Sequence, residues 1–239
     1  MESPVIGILG GVGPMATAYF MEMIINMTEA TKDQDHINML VSNHATIPDR
    51  TDYILGKSQN SPLNVMIDDA KMLQNAGCDF IVLPCNTAHY FFDGIKNAIE
   101  IPFLNIIEET VDYCIENIEN VKKLGIMATE GTLKSNTYGM IAEKRNLKCV
   151  SPSYEIQNKI TSIIYDKIKA GKDVTKEEFV SIIDYLKSQG CDAVILGCTE
   201  LSVAFENLKL KEEYPYVVDS LTVLAERSVI KAGKKIKKS

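Results

Sequence analysis

Two cysteines stand at positions where a thiol can take part in a reaction. Cys85 and Cys198 each directly follow a short apolar run, and polar residues come next, as Cys-Asn-Thr-Ala-His in the first case and Cys-Thr-Glu in the second. Backbone amides and a helix start at such a turn favour an anion and lower the pKa of a thiol from about 8.5. We therefore predict that both thiols are poised for acid–base or nucleophilic chemistry.

The two cysteines lie in related segments of the chain. Residues 77–85 and 190–198 are identical at five of nine positions, and the two cysteines are 113 residues apart. Pro102 and Pro215 have the same separation, and a third match lies further upstream at a separation of 118 residues. Three matches in the same order indicate two related α/β halves.

Short runs of β-branched or apolar residues alternate with stretches of helical periodicity in both halves. The predicted strands are residues 5–9, 39–42, 80–83, 103–106, 124–128, 194–196 and 217–218. The predicted helices are residues 15–28, 63–75, 138–144, 156–169 and 176–188, the last opened by a capping box at 175–178. This alternation predicts mostly parallel sheets covered by helices, with sites beyond the carboxyl ends of the strands.

The predicted fold class is α/β, with two pseudo-symmetric three-layer domains, mostly parallel sheets and an active site in the cleft between the domains. Residues 1–103 are predicted to form the N-terminal domain, which residues 215–239 complete, and residues 104–214 the C-terminal domain. Because both cysteines follow strands of equivalent sequence, a rough twofold axis is expected to bring one thiol to each side of the cleft.

A pair of like groups on opposite sides of a cleft suits the inversion of a carbon centre. One group, as thiolate, takes a proton from one face of the carbon, and the other, as thiol, returns a proton to the opposite face. A proton next to a carboxylate is a far weaker acid than a thiol, so exclusion of water and donors for the developing enediolate must lower much of the barrier. The paired thiols therefore favour racemisation as the reaction.

Composition makes several other classes of protein poor interpretations. The chain has 239 residues, 46% of them apolar and 24% charged, and its net charge of −7 disfavours nucleic-acid binding. Glycines and Pro14 interrupt the uncharged stretch 3–21, so we expect no secretion signal, no membrane span and a cytoplasmic location. The six cysteines are expected to be free thiols. Three scattered histidines predict no metal site, and His89 is instead expected to orient the loop that bears Cys85.

Seven segments, spread in order over nearly the whole chain, carry a family resemblance. They are Ile6-Gly-Ile-Leu-Gly-Gly-Val-Gly-Pro14, Ile47-Pro-Asp-Arg-Thr51, Pro84-Cys-Asn-Thr-Ala-His89, Ile107-Glu-Glu-Thr110, Ala128-Thr-Glu-Gly-Thr132, Ile164-Tyr-Asp-Lys-Ile-Lys-Ala-Gly171 and Gly197-Cys-Thr-Glu-Leu201. These segments resemble the cofactor-independent aspartate/glutamate racemase family, and within it the aspartate racemase branch. The glutamate racemase branch has His after the second Cys-Thr, whereas this chain has Glu200. Some relatives of broad specificity have Thr in place of the first cysteine, so Cys85 favours action on both enantiomers.

The resemblance implies a two-domain α/β fold, a homodimer and an enzyme without pyridoxal phosphate or another cofactor. It implies that Cys85 and Cys198 are catalytic and that the substrate is a small acidic amino acid. Arg50 can hold a carboxylate through two parallel hydrogen bonds, and Lys169 can hold another as a point charge. The substrate contacts that the resemblance implies are Val12 (through the glycine-rich loop), Arg50, Asn86, Thr87, Thr132, Lys169 and Thr199.

The predicted function is interconversion of L- and D-aspartate by a cofactor-independent racemase with a two-base thiol/thiolate mechanism. The alternatives are a broad-specificity aspartate/glutamate racemase and another reaction on the same scaffold, such as hydantoin racemisation or decarboxylation of a malonate. A nucleotide-binding oxidoreductase is a rival, because Gly11-x-Gly13-x-x-Ala16 matches a loose dinucleotide fingerprint. However, the second strand ends in Ser42-Asn43 instead of an acidic residue. Two lobes around a cleft also describe a solute receptor.

Overall fold

The computed structural model describes residues 4–237, and within them seven strands form two parallel sheets. The first sheet has the strand order β2-β1-β3 and the second β5-β4-β6-β7, and all neighbouring strands pair in parallel. The predicted α/β class with mostly parallel sheets is confirmed. The strands are β1 (Val5–Gly10), β2 (Asn38–Asn43), β3 (Phe80–Val82), β4 (Lys123–Ala128), β5 (Lys148–Val150), β6 (Ala193–Gly197) and β7 (Val217–Asp219).

Eleven α-helices connect and cover these strands in the described part of the chain. They are α1 (Pro14–Met27), α2 (Arg50–Ile54), α3 (Leu63–Asn75), α4 (Phe92–Lys96), α5 (Ile106–Asn117), α6 (Glu130–Ser135), α7 (Thr137–Lys144), α8 (Tyr154–Ser162), α9 (Lys176–Ser188), α10 (Thr199–Asn207) and α11 (Ser220–Lys231). Two 3-10 segments, Asp33–Asp35 and Thr87–Phe91, and a π-helix, Ile163–Ile168, complete the order. Among residues 4–237, no helix combines the length and the apolar character that a membrane crossing requires.

Each sheet is buried on both faces. In β1, Ile8 belongs to one apolar cluster and its neighbour Leu9 to another. In β6, Ile195 and Leu196 are likewise divided between two clusters. Successive side chains of a strand point to opposite faces, so each sheet is the middle layer between two layers of helices. Burial on both faces explains why these strands read as nearly continuous hydrophobic runs.

One apolar cluster is common to both halves of the chain. It contains Ile8 from the first sheet and Ile195 from the second, together with buried residues of α1, α5, α7 and α11. Helix α11 packs against α1 and α5, and α5 packs against α7. Complete burial of one leucine or isoleucine side chain stabilises a fold by about 1.5–3 kcal/mol. This shared layer therefore fixes the position of one half relative to the other.

The predicted domain boundaries, 103/104 and 214/215, stay a prediction. Within the C-terminal segment, β7 joins the second sheet, where Val218 lies opposite Ile195. Helix α11 of the same segment packs against α1 of the first half and against α5. The ends of the predicted first domain, residues 1–3 and 238–239, lie outside the described residues.

The predicted strand 103–106 is wrong. Only Phe103 makes an isolated bridge, to Ile81. Helix α5 begins at Ile106 because the side chain of Asn105 accepts hydrogen bonds from two amides in the first turn, at 3.0 and 3.4 Å. This cap turns a run that reads as a strand into the start of a helix.

The predicted helix 156–169 is also wrong in its second part. It starts at Tyr154 and is an α-helix only to Ser162, after which a π-helix follows. Strand β5, a short edge strand, was not predicted, nor were helices α2, α4, α5, α6, α10 and α11. The other predicted strands and helices agree with the observed ones to within one residue at each end, and the capping box at Thr175 is confirmed.

Replacing Asn105 by Ala is expected to lower the free energy of unfolding by about 1 kcal/mol, because two amides of α5 lose their acceptor. Urea denaturation measures the change. The matched control is Asn117→Ala at the exposed end of the same helix, for which we expect a change within about 0.5 kcal/mol. Equal losses for the two variants would contradict the capping role of Asn105.

Candidate active site

A small cavity lies where the carboxyl ends of strands from both sheets meet, with a volume of about 30 Å³. Eight of the nine predicted site residues line it, the exception being Thr132. Cys85 comes shortly after β3 and Cys198 directly after β6, so the two sheets carry both thiols to the same cavity. The lining residues that were not predicted as site residues are Asp49, Thr51, Thr129, Tyr165 and Glu200.

The thiol of Cys198 donates a hydrogen bond to Glu200, with a distance of 2.9 Å from Sγ to Oε2. Burial raises the pKa of the Cys198 thiol well above its usual range, the charge and hydrogen bond of Glu200 raise it further, and Lys169 opposes them. The prediction of a lowered pKa is therefore wrong for Cys198, although this residue does precede the first turn of α10. Removal from water and the adjacent carboxylate outweigh the amides of the helix start.

Lys169 reaches the cavity from the end of the π-helix. Its Nζ lies 3.7 Å from Oε1 of Glu200 and 4.6 Å from the ring centroid of Tyr165. The backbone amide of Lys169 bonds the carbonyl of Ile164, five residues earlier, and this wide turn sets Tyr165 and Lys169 side by side at the cavity. Burial lowers the pKa of Lys169, but Glu200, Tyr165 and the two cysteines outweigh burial and raise it overall. Lys169 is therefore a cation.

Arg50 keeps part of its guanidinium group free. It opens the short helix α2, where Asp49 accepts a hydrogen bond from the amide of Asp52 at 2.8 Å. Nη1 of Arg50 donates to the carbonyl of Pro48 at 3.2 Å, whereas the buried Nε has no hydrogen-bond partner among the described residues. Within residues 4–237 Arg50 also forms no ion pair. Its remaining donors at the cavity suit a carboxylate.

Asn86 is held by residues of the second half. Its Oδ1 accepts a hydrogen bond from the hydroxyl of Tyr138 at 2.6 Å, and its Nδ2 donates to Oγ of Ser220 at 2.9 Å. Ser220 in turn donates to the carbonyl of Leu196 in β6 at 2.7 Å. This buried chain joins the residue after Cys85 to the strand before Cys198. It occupies the oxygen and one amide hydrogen of Asn86, so at most one hydrogen is left for a substrate.

Three buried threonine hydroxyls form a triangle between the halves. Oγ1 of Thr87 lies 2.9 Å from Oγ1 of both Thr129 and Thr132, and the latter two are 3.1 Å apart. Thr132, which does not line the cavity, thus supports Thr87 from behind. Gly131 permits this contact, because a Cβ there would lie 2.9 Å from the hydroxyl oxygen of Thr51 and 3.1 Å from a methyl carbon of Thr87.

The glycine-rich turn after β1 is explained by backbone packing. Gly11 has a φ of +85°, and a Cβ there would overlap the backbone of His44. Its amide donates to the hydroxyl of Thr17 at 3.0 Å. Val12, the next residue, is the part of the turn that lines the cavity. The fingerprint of the rival oxidoreductase hypothesis is therefore accounted for without a nucleotide.

His89 ties the Cys85 loop to helix α5, in line with its expected orienting role. Its Nε2 accepts a hydrogen bond from the amide of Ile106 at 3.1 Å, and its Nδ1 lies 2.8 Å from the carbonyl oxygen of Cys85. A backbone amide can only donate, so the ring proton is on Nδ1 and points at Cys85. Burial lowers the pKa of His89 to about 4, which keeps the ring neutral.

The residues that sequence reasoning missed fall into two groups. The first group lies inside segments that carry the family resemblance, so a signal was present; its members are Asp49, Thr51, Thr129, Tyr165 and Glu200. Tyr138 and Ser220 are 52 and 134 residues from Asn86 in the chain, and no local pattern connects them to it. Among residues 4–237, no group of three or more His, Cys, Asp or Glu side chains is arranged to hold a metal ion.

The chain is similar in sequence and in fold to known racemases. The chain is 31% identical to the aspartate racemase of Picrophilus torridus, with a TM-score of 0.81 over 98% of this chain and 96% of that one. It is 25% identical to an aspartate racemase homologue from Pyrococcus horikoshii OT3, with a TM-score of 0.78 over 97% and 100% of the two chains. A broad-specificity amino-acid racemase of Bacillus subtilis (strain 168) is 29% identical over 228 residues, which are 94% of this chain and 96% of that protein.

The racemase family to which the comparisons point is a class of isomerases. Residues 9–227 match the family described as Asp/Glu/Hydantoin racemase. The chain belongs to this family. The resemblance stated from the sequence segments is thereby confirmed.

The chain of hydrogen bonds through Asn86 predicts that Tyr138→Phe lowers the free energy of unfolding by about 1–3 kcal/mol. The change removes the hydroxyl and leaves the buried Oδ1 of Asn86 without its donor. Urea denaturation measures it. Tyr154→Phe, at a tyrosine with 83% of its surface exposed, is the matched control and is expected to have almost no effect. A Tyr138→Phe variant as stable as this control would exclude the proposed support of Asn86.

Proposed function

We propose that the protein is a cofactor-independent aspartate racemase in which Cys85 and Cys198 act on opposite faces of the α-carbon. The observation that carries the proposal is that these two equivalent thiols, 113 residues apart in the chain, line one cavity. Each thiol follows a strand of a different sheet, as a pair of opposed groups requires. An enzyme that inverts one carbon needs an acid and a base that share a single substrate position.

The charged residues around the thiols fit an amino acid with two carboxylates. Arg50 lines the cavity and forms no ion pair among residues 4–237, which suits one carboxylate, and the cationic Lys169 suits another. Loss of the α-proton puts negative charge on the oxygens of the α-carboxylate. Fixed cations and the amides at the start of α10 stabilise this charge because they need no reorientation during the reaction.

The size of the cavity bears on water exclusion. A volume of about 30 Å³ holds on the order of two water molecules. Cys85 and Cys198 are 8% and 7% exposed, so both thiols lie largely out of contact with bulk water. A substrate that fills the cavity leaves little room for water beside the thiols, which strengthens the interactions of Arg50 and Lys169 with the developing charge.

Aspartate is the first choice of substrate. It is supported by the similarity to the aspartate racemase of Picrophilus torridus and by Glu200, where the glutamate racemase branch has His. The second candidate is a racemase of broad specificity, favoured by the 29% identity with the broad-specificity racemase of Bacillus subtilis. On the family resemblance we also propose a homodimer in the cytoplasm, and light scattering of the purified protein tests the dimer.

Incubation of the purified protein with L-aspartate and L-glutamate separately, without pyridoxal phosphate, followed by chiral chromatography, tests the proposed function. We expect L-aspartate to be converted until L-aspartate and D-aspartate are present in equal amounts. A comparable rate with glutamate or with neutral amino acids would favour the broad-specificity candidate. Absence of racemisation for every amino acid tested would reject the proposal and leave hydantoin racemisation or decarboxylation as alternatives.

Cys85→Ala and Cys198→Ala are each expected to reduce kcat for racemisation by at least about 10²–10⁴-fold, because each removes one of the two proton-transferring groups. The assay is the appearance of D-aspartate from L-aspartate. Cys78→Ala is the matched control, since Cys78 is a buried cysteine that does not line the cavity. Retention of more than a tenth of the wild-type rate by either cavity variant contradicts the two-thiol mechanism.

A further inference from the structure

The two sides of the cavity differ at one equivalent position. Thr87 stands two residues after Cys85, whereas Glu200 stands two residues after Cys198. Thr87 uses its hydroxyl in the threonine triangle and cannot take up a proton near neutral pH. Glu200 is a carboxylate, and only 14% of its side chain is exposed. The repeat that supplies two like thiols therefore surrounds them with unlike partners.

Glu200 contacts the reacting sulfur and two further groups of the site. Its Oε2 lies 2.9 Å from Sγ of Cys198 and 3.1 Å from the hydroxyl oxygen of Thr199, and its Oε1 lies 3.7 Å from Nζ of Lys169. Among residues 4–237, Glu200 is the side chain that accepts a hydrogen bond from the Cys198 thiol. For Cys198 to act as a base, its proton must first leave, and Glu200 is the acceptor in place.

On the basis of the proposed function, we propose that Glu200 is a catalytic residue that takes the proton of Cys198 when this thiol serves as the base. The Cys198 side of the site then works as a thiol–carboxylate pair. On the Cys85 side the equivalent position is Thr87, and among residues 4–237 the Cys85 thiol donates no hydrogen bond to a carboxylate. The chemical roles of the two thiols are therefore asymmetric, although their sequence segments are related.

Each proton and charge in this scheme is accounted for. The proton on Sγ of Cys198 moves to Oε2 of Glu200, and the resulting thiolate takes the α-proton of the substrate. The thiol of Cys85 then donates its proton to the opposite face of the carbon and becomes a thiolate. One negative charge thus passes from Glu200 to Cys198, to the substrate and finally to Cys85. Turnover of the opposite enantiomer reverses these steps, or solvent returns the proton of Glu200 to Cys85.

Lys169 links this transfer to substrate binding. Without substrate, its ammonium group lies 3.7 Å from Oε1 of Glu200, while burial and Glu200 keep the pKa of Cys198 high. A substrate carboxylate that pairs with Lys169 competes for this ammonium group. Glu200 is then less tightly paired with Lys169 at the stage at which Cys198 has to release its proton.

Other ionisable groups also face the pair and set its protonation. Lys169 and Tyr165 approach from the π-helix, and Asp49 and Arg50 from the start of α2, with Cys85 across the cavity. Asp219, which accepts a hydrogen bond from Ser202 of α10, does not line the cavity. The groups that act on Cys198 most strongly are Glu200, which raises its pKa, and Lys169, which lowers it.

The test is Glu200→Gln, which keeps the shape of the side chain but can neither carry the charge nor take the proton. The pH dependence of alkylation of Cys198 by iodoacetamide, followed by mass spectrometry of its peptide, reports the pKa of this thiol independently of turnover. Loss of the Glu200 charge removes a cause of the high pKa, so the midpoint should move to lower pH by about one unit or more, which is about tenfold in the ionisation constant. Racemisation near neutral pH should fall by about 10²-fold or more.

The combination of a more ionised thiol, slower turnover and an unchanged free energy of unfolding in urea is the signature of a lost proton acceptor. A disrupted site that exposes Cys198 to water would also lower the pKa of this thiol, because burial is the largest cause of its high value, but such a variant would be less stable. Glu206→Gln is the matched control, since it removes one charge from the exposed side of the same helix, and it should change none of these quantities. Glu200→Asp keeps the charge with a shorter reach. We expect its midpoint to stay close to that of the wild type, with part of the activity retained.

Wild-type turnover in Glu200→Gln, or an unchanged or higher alkylation midpoint, would overturn the inference. If Glu200→Gln does not fold, Glu200→Asp decides by its activity, and full wild-type kcat in that variant also overturns the inference. Failure of the proposed function has a different outcome. In that case the wild-type protein racemises no amino acid, whereas the alkylation midpoint still shifts in Glu200→Gln.

Discussion

One apolar layer is common to both sheets, and the meeting of the two cysteines depends on it. Inversion of a carbon requires one group to take a proton from one face and a second group to deliver a proton to the opposite face. The thiols of Cys85 and Cys198 must therefore both reach the same carbon atom. Ile8 and Ile195, from different sheets, belong to one cluster with the helices α1, α5 and α11. Because the strands are parallel and short, fixing their inner faces also fixes where their carboxyl ends, and hence the thiols, come together.

Buried hydrogen bonds join the two halves of the chain in addition to the apolar layer. The chain from Tyr138 through Asn86 and Ser220 reaches the strand before Cys198, and His89 fastens the Cys85 loop to α5. The apolar layer alone fixes the relative position of the two halves only approximately, because hydrophobic burial has no preferred direction. Hydrogen bonds are directional, so these contacts fix that position more closely. The apolar positions follow the internal repeat, whereas the charged ones, Glu200 and Lys169, stand on one side alone. The repeat therefore supplies the scaffold and both thiols, and the departures from it make the two sides of the site chemically different.

The sequence was informative where a local pattern determines the structure. Short apolar runs ended by glycine, proline or cysteine predicted the strands that lead to the cysteines, and eight of nine predicted site residues line the cavity. Prediction from the sequence failed where other interactions outweigh the local pattern. The cap by Asn105 replaced a predicted strand by a helix, and a π-helix interrupted a predicted α-helix. The helix start suggested a low pKa for Cys198, but burial and Glu200, which depend on the folded surroundings, reversed its direction.

The central claim is that two different groups, on opposite sides of the α-carbon, handle the departing and the arriving proton. The most direct measurement is the hydrogen isotope at the α-carbon during the first turnovers of L-aspartate by the wild-type protein in deuterium oxide. We expect the D-aspartate formed early to carry deuterium while the remaining L-aspartate keeps its original hydrogen. Transfer of the original hydrogen into the product, or equal deuterium in both enantiomers from the start, would indicate one base that serves both faces and would contradict the account.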